Sequence, residues 1–216
     1  MKYKYLLFDM DGTLCDSAEG VQKCFNYALS KFGKEVKDYK TLDDIIGPPI
    51  IDSFEKRGFT HDEAFEGLKY YRERYYKHGM LSENKLFDGI ADLVRDCKNA
   101  GYIVSTATSK PEEQAKTILE YFNIIKYFDL VAGASLDETR STKEDVLIYT
   151  LKKLGVKNKK EVLLIGDTKY DLIGAESVGV DALAVRYGYG TDEELEEYKS
   201  VAISDTVSDV RKFLLG

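Results

Sequence analysis

Apolar positions along the chain follow two alternating rhythms. Short, nearly continuous runs of strand length occur at YKYLLFD, YIVSTAT (102–108), FDLVAG (128–133), EVLLIGD (161–167) and DALAV (181–185). Between most of them the apolar residues recur at i, i+3, i+4, as in Ile90/Leu93/Val94/Cys97, Ala115/Ile118/Leu119/Phe122 and Val146/Leu147/Thr150/Leu151/Leu154. That spacing lays one apolar stripe along a helix. Strands apolar at nearly every position, alternating with such helices, predict βαβ units: an α/β fold with a doubly wound, mainly parallel sheet covered on both faces.

One stretch breaks the alternation. From about Ser17 to Glu83 only helical stripes appear, such as Val21/Phe25/Ala28/Phe32 and Ala64/Leu68/Tyr71/Tyr75, interrupted by Gly47-Pro48-Pro49. The stretch is expected to be an inserted α-helical cap domain, 16–84, leaving residues 1–15 and 85–216 as the α/β core domain. Ligands of open α/β sheets bind beyond the carboxyl ends of the strands. An insert leaving from the first strand's exit is therefore expected to act as a lid, hinged near Cys15 to Ser17 and Leu81 to Leu86.

Composition narrows the function classes. The 216 residues suffice for one full core and a small satellite domain. Apolar content of 44% and charged content of 32% are ordinary for a soluble globular chain. No apolar run reaches the length of a membrane span, and the N-terminal apolar run is too short for a signal-peptide core, so a cytoplasmic location is expected. A net charge of -7 argues against nucleic acid as a partner, since phosphate backbones are bound by clustered Lys and Arg. Three cysteines, Cys15, Cys24 and Cys97, lack CxxC or metal-like spacing and read as buried apolar residues.

The chemistry is concentrated at strand ends. FDMDGT closes the first strand with Asp9 and Asp11, ATSKP follows the second with Thr108 and Lys110, and GDTKYD follows the fourth with Asp167 and Asp171, while Lys143 opens the preceding helix. Two like charges 4 Å apart repel by about 4 kcal/mol at an effective dielectric of 20, so carboxylates crowded beside a core need a partner. A hard divalent cation with a phosphate would supply one, because Mg²⁺ takes oxygen ligands and commonly bridges carboxylates to phosphate. Each motif also has a plainer reading: Asp-Gly turns, a Pro helix entry at Thr108-Ser109-Lys110-Pro111, and an Asp cap in GDTKYD.

Taken in order, FDMDGT, the Thr of ATSK, Lys143 and GDTKYD, with a helical insert after the first, resemble the four motifs of the haloacid dehalogenase superfamily. DSAEGVQKCFNYAL, IGPPIIDSF and ATSKP resemble its phosphoglycolate-phosphatase-like branch, which has a small α-helical cap on a Rossmann-like sheet. The resemblance implies a Mg²⁺-dependent phosphomonoester hydrolase acting on a small phosphorylated metabolite. Asp9 would be the nucleophile that forms an aspartyl-phosphate, and Asp11 the general acid and base. Mg²⁺ would be bound by Asp9, the main-chain carbonyl of Asp11 and Asp167. Thr108, Ser109 and Lys143 would bind phosphate, and Asp171 would hold Lys143 or a metal-bound water. Gly47, Pro48 and Arg140 are candidates for substrate specificity.

Other classes share parts of this pattern. A dehalogenase needs no acid two residues after its nucleophile, so Asp11 argues against it. A phosphomutase of the β-phosphoglucomutase type shares every core motif but places a sugar bisphosphate against its cap, where IIGPPIIDSF lacks the expected Arg. A nucleotidase or pyrophosphatase would suit the same core. In KYYRERYYKHG (69–79), Arg72 and Arg74 read as the solvated basic face of a cap helix, and RYGYGT (186–191) as a site-edge loop before a helix capped by Thr191.

Overall fold

The computed structural model describes residues 2–137 and 139–216. In chain order the strands are β1 (Tyr5–Phe8), β2 (Cys15–Asp16), β3 (Lys85–Leu86), β4 (Ile103–Thr106), β5 (Thr108–Pro111), β6 (Gly133–Ala134), β7 (Val162–Gly166), β8 (Asp181–Val185) and β9 (Ala202–Ser204). The helices are α1 (Ala18–Ser30), α2 (Ile50–Glu55), α3 (His61–Arg74), α4 (Ile90–Asn99), α5 (Glu112–Tyr121), α6 (Lys143–Lys153), α7 (Lys169–Val178), α8 (Asp192–Glu197) and α9 (Val207–Leu215). Two compact units result, Met1–Cys15 with Leu86–Gly216 and Asp16–Lys85. The two chain crossings between them pair as the β2–β3 ribbon.

The larger unit is built on a five-stranded sheet in the order β4-β1-β7-β8-β9, every neighbouring pair parallel. All four residues of β1 and all five of β7 are buried, which explains why these strands read as continuous apolar runs. Side chains alternate between two faces. Tyr5, Leu7, Val162, Leu164, Ala182 and Ala184 form one core cluster with Val146, Leu147 and Leu151 of α6 and Leu172, Ala175 and Val178 of α7. On the opposite parity Leu6, Phe8, Leu163, Ile165, Leu183 and Val185 are buried too, as are Ile90, Leu93, Val94 and Cys97 of α4 and Val210 of α9. Cys15, Cys24 and Cys97 are buried free thiols. No helix among the described residues is long and apolar enough to cross a membrane.

One strand expectation needs correction. FDLVAG does not form a strand of the main sheet: Leu130 makes one bridge to Ser105, and only Gly133–Ala134 is a strand, paired with β5. Side chains take over part of the ladder there. Asp129 Oδ2 accepts from Val104 N at 2.9 Å, and the Thr106 hydroxyl both donates to Ala132 O and accepts from Ala132 N, each at 2.8 Å. Conversely, β9 pairs with β8 although its three residues are too few to register as a periodic run.

The smaller unit is helical. Val21, Cys24, Phe25, Ala28 and Leu29 of α1 are buried, as are Ala64 and Tyr71 of α3, which starts at a capping box between Thr60 and Glu63. Phe54 of α2 is fully buried, its ring 4.3 Å from Phe25 and 5.2 Å from Phe59. The expected solvated basic face on α3 is only partly found. Arg74 is drawn in by Glu83, donating from both terminal nitrogens at 2.6 and 2.8 Å, next to the Cys24 thiol. A π-helical turn, Tyr75–Gly79, follows.

Phe54→Ala should cost about 3–5 kcal/mol of stability in urea unfolding, the range for deleting a fully packed aromatic side chain. A loss below about 1 kcal/mol would show that this ring is not central to its unit.

Candidate active site

Parallel register brings the site together. Phe8 is level with Thr106 on one side and Ile165 on the other, so the residues leaving β1, β4 and β7 emerge at one edge of the sheet. Asp9 N donates to Ile165 O at 2.9 Å and Ala107 N to Phe8 O at 2.8 Å, carrying the pairing one step further before the chains part. With β4 to one side of β1 and β7 to the other, this is a topological switch point, where crevices open beyond the strand ends. Asp9, Thr108 and Asp167 stand at that edge.

Asp9, Asp167 and Asp171 each offer a carboxylate oxygen within 4.8 Å of the others, and all three are buried. Lys143, the first residue of α6, is also buried, and its Nζ donates to Asp9 Oδ1 at 2.6 Å and to Ala107 O at 2.9 Å and pairs with Asp171 Oδ1 at 2.7 Å. Asp171 Oδ2 accepts from Thr168 N and Thr168 Oγ1, the capping box that starts α7. Asp171 therefore both caps α7 and pairs with Lys143. Asp167 accepts from the Thr13 hydroxyl at 2.9 Å and from Tyr189 N at 2.8 Å. Asp11 Oδ2 is 2.9 Å from the Lys110 ammonium, and Asp11 Oδ1 is buried without a hydrogen-bond partner.

Gly12 is set by this crowding. Its φ is +87°, and a Cβ there would lie 1.9 Å from Asp167 Oδ2. Only glycine lets the turn after Asp11 pass so near the carboxylate.

The cluster is electrostatically strained. Burial, opposed by the Lys143 charge and reinforced by Asp171, pushes Asp9 up to about 6. Burial, with the charges of Asp171 and Asp9, holds Asp167 well above the usual carboxylate range. Burial alone would lower Lys143, but the charges of Asp171 and Asp9 outweigh it and raise the ammonium above its usual value. Three carboxylates around one ammonium leave an excess of two negative charges when ionised. Oxygen-only donors, a surplus of two charges and the orphaned Asp11 oxygen fit a hard divalent cation.

The remaining expected residues separate. Thr108 is buried, and its hydroxyl accepts from Lys110 N at 3.1 Å, whereas Ser109 beside it is exposed. Arg140 lies outside the carboxylate cluster: its guanidinium donates to Gly133 O at 2.7 Å and Glu112 at 3.2 Å and lies 3.7 Å over the Tyr149 ring. Gly47 and Pro48 belong to the other unit, in the turn leading into α2. The sequence reading gave no role to Thr13, Tyr187 and Tyr189. For Thr13 the signal was its place inside FDMDGT; for the tyrosines it was the paired glycines of RYGYGT.

The folded pKa of Asp9 exceeds its ordinary value of 3.8, so the folded chain holds this proton more tightly than the unfolded one. The stability it contributes is complete below about pH 4 and is lost as pH rises through about 6. Chelator-treated protein should therefore melt lower at about pH 8 than at about pH 5, and Asp9→Asn should flatten that slope. Adding Mg²⁺ should recover most at the higher pH. Identical pH slopes for the variant and the parent would show that the buried carboxylate does not carry the effect.

Comparison with known proteins agrees with this geometry. Residues 6–185 match the family model described as haloacid dehalogenase-like hydrolase. A 5'-nucleotidase from Pseudomonas aeruginosa is 35% identical over 215 residues, covering 99% of this chain and 96% of the relative. Tyrosine-protein kinase PtkA from Mycobacterium tuberculosis is 35% identical over 211 residues, covering 97% of this chain and 72% of the kinase. A crystal structure described as a predicted phosphatase from Clostridium acetobutylicum superposes with a TM-score of 0.92 at 41% identity, over 100% of this chain and 99% of that one. With a family match that spans the first strand through the last strand of the carboxylate edge, the chain belongs to the haloacid dehalogenase-like hydrolases.

Proposed function

We propose that this hydrolase cleaves phosphate monoesters by passing the phosphoryl group through Asp9. The observation that carries the reading is the environment of Asp9: a buried carboxylate at a strand end, with one oxygen tied to Lys143 at 2.6 Å and two further acids within 4.8 Å. Held by Lys143, Asp9 would present its other oxygen to phosphorus, and the P–O bond to the alcohol would break as the aspartyl-phosphate forms. Asp11 would give its proton to the departing alcohol and take one from the water that then attacks the aspartyl-phosphate, releasing phosphate and restoring Asp9. Thr108 would donate to a phosphoryl oxygen, with Ser109 next to it, and Lys143 would offset the charge on the equatorial oxygens.

Mg²⁺ would be held by Asp9, Asp167 and the main-chain carbonyl of Asp11, and when bound it supplies charge neutralisation between nucleophile and phosphate. Asp171 differs from the other two acids, because Lys143 and the start of α7 already engage both of its oxygens. Its part is to position Lys143.

The relative named 5'-nucleotidase puts nucleoside monophosphates first among substrates to compare with phosphoglycolate, sugar phosphates and pyrophosphate. Transfer to an acceptor other than water, as in a phosphomutase, would use the same first half-reaction.

Asp9→Asn should abolish turnover while leaving circular dichroism unchanged. Asp11→Asn should lower kcat on alkyl phosphates by about 10²–10⁴-fold, and by less on aryl phosphates whose leaving group needs no proton. Release of alcohol and inorganic phosphate in equal amounts supports hydrolysis. Turnover of Asp9→Asn at the parent rate would refute the nucleophile.

A further inference from the structure

We infer that the segment Tyr187–Gly190 and Thr13 form a clamp on the Asp167 carboxylate that sets the affinity of the site for its cation. The inference rests on the reading of Asp167 as a cation ligand. Its support is a closed set of contacts from two separate parts of the chain. The Thr13 hydroxyl holds Asp167 Oδ1, Tyr189 N–H holds Oδ2, and the Tyr187 phenol donates to Thr13 O at 3.1 Å, joining the two jaws. Thr13 is fully buried. Phe87 packs edge-on against Tyr187 with ring centroids 5.0 Å apart, bracing the phenol.

The glycines of RYGYGT are what allow the upper jaw to close. A Cβ on Gly188 would fall 2.2 Å from Asp167 Cβ and 2.4 Å from its Oδ2, and one on Gly190 would fall 2.1 Å from Asp167 O. The main chain of this loop therefore lies flush on Asp167, and no side chain fits between. Each carboxylate oxygen accepts one hydrogen bond there and keeps lone-pair capacity for a cation. A ligand already fixed in direction loses little freedom on binding, and partners of this kind typically change metal affinity by about 10–100-fold.

The test is a titration of Mn²⁺ alone into chelator-treated full-length protein, following free Mn²⁺ by electron paramagnetic resonance. Thr13→Val, which removes the hydroxyl at nearly constant volume, and Tyr187→Phe should each weaken Mn²⁺ binding by roughly tenfold or more. Thr13→Ser should bind close to the parent, because it keeps the donor. Melting temperature in chelator checks the fold of each variant, and Tyr187→Phe, which deletes one oxygen, decides the matter if Thr13→Val melts early. Parent-like Mn²⁺ affinity in Thr13→Val and Tyr187→Phe, alongside weakened binding in Asp167→Asn, would overturn the clamp. Unweakened binding in Asp167→Asn would instead overturn the cation-ligand reading, and the clamp with it.

Discussion

Charge compensation among Asp9, Asp167, Asp171 and Lys143 is the constraint on which the rest of the site depends. Burying three carboxylates against one ammonium is costly unless further positive charge is at hand. The fold lowers that cost with fixed donors: Thr13 and Tyr189 N on Asp167, Thr168 on Asp171, and Lys143 shared between Asp9 and Asp171. What these donors leave uncompensated is negative charge that a bound cation would offset. Burial, reinforced by the neighbouring carboxylates, raises Asp9 and Asp167 above ordinary carboxylates, so a proton and a cation would compete for one set of oxygens.

The sheet makes this arrangement possible by register. Adjacent parallel strands place successive exits at one level, so motifs separated by about 100 and 150 residues of chain meet without any local signal for it. Local physics then finishes each position. A capping box at Thr142 and Asp145 starts α6 at Lys143, another at Thr168 and Asp171 starts α7, and Gly12 lets the turn after Asp11 close on Asp167.

Much of this was legible because buried strands and amphipathic helices have different periods, and because acids crowded at strand ends beside a core need a partner. The parallel sheet and the meeting of Asp9, Lys143, Asp167 and Asp171 follow from those two signals. Three kinds of feature were not legible. FDLVAG has the composition of a strand, but Asp129 and the Thr106 hydroxyl replace part of its ladder with side-chain bonds. Arg140 and Arg74 look available in sequence, yet Gly133, Glu112 and Glu83 engage them, and such pairings depend on residues distant in the chain. The roles of Thr13 and Tyr187–Gly190 arise from hydrogen bonds by one hydroxyl, one phenol and one backbone N–H, and no periodicity encodes these.

The most direct measurement of the central claim is anomalous diffraction from crystals of the protein soaked in Mn²⁺. One strong peak within bonding distance of both Asp9 and Asp167, with Lys143 still beside Asp9, is the result this account predicts. A protein fully loaded with Mn²⁺ elsewhere, and no density between those two carboxylates, would contradict it.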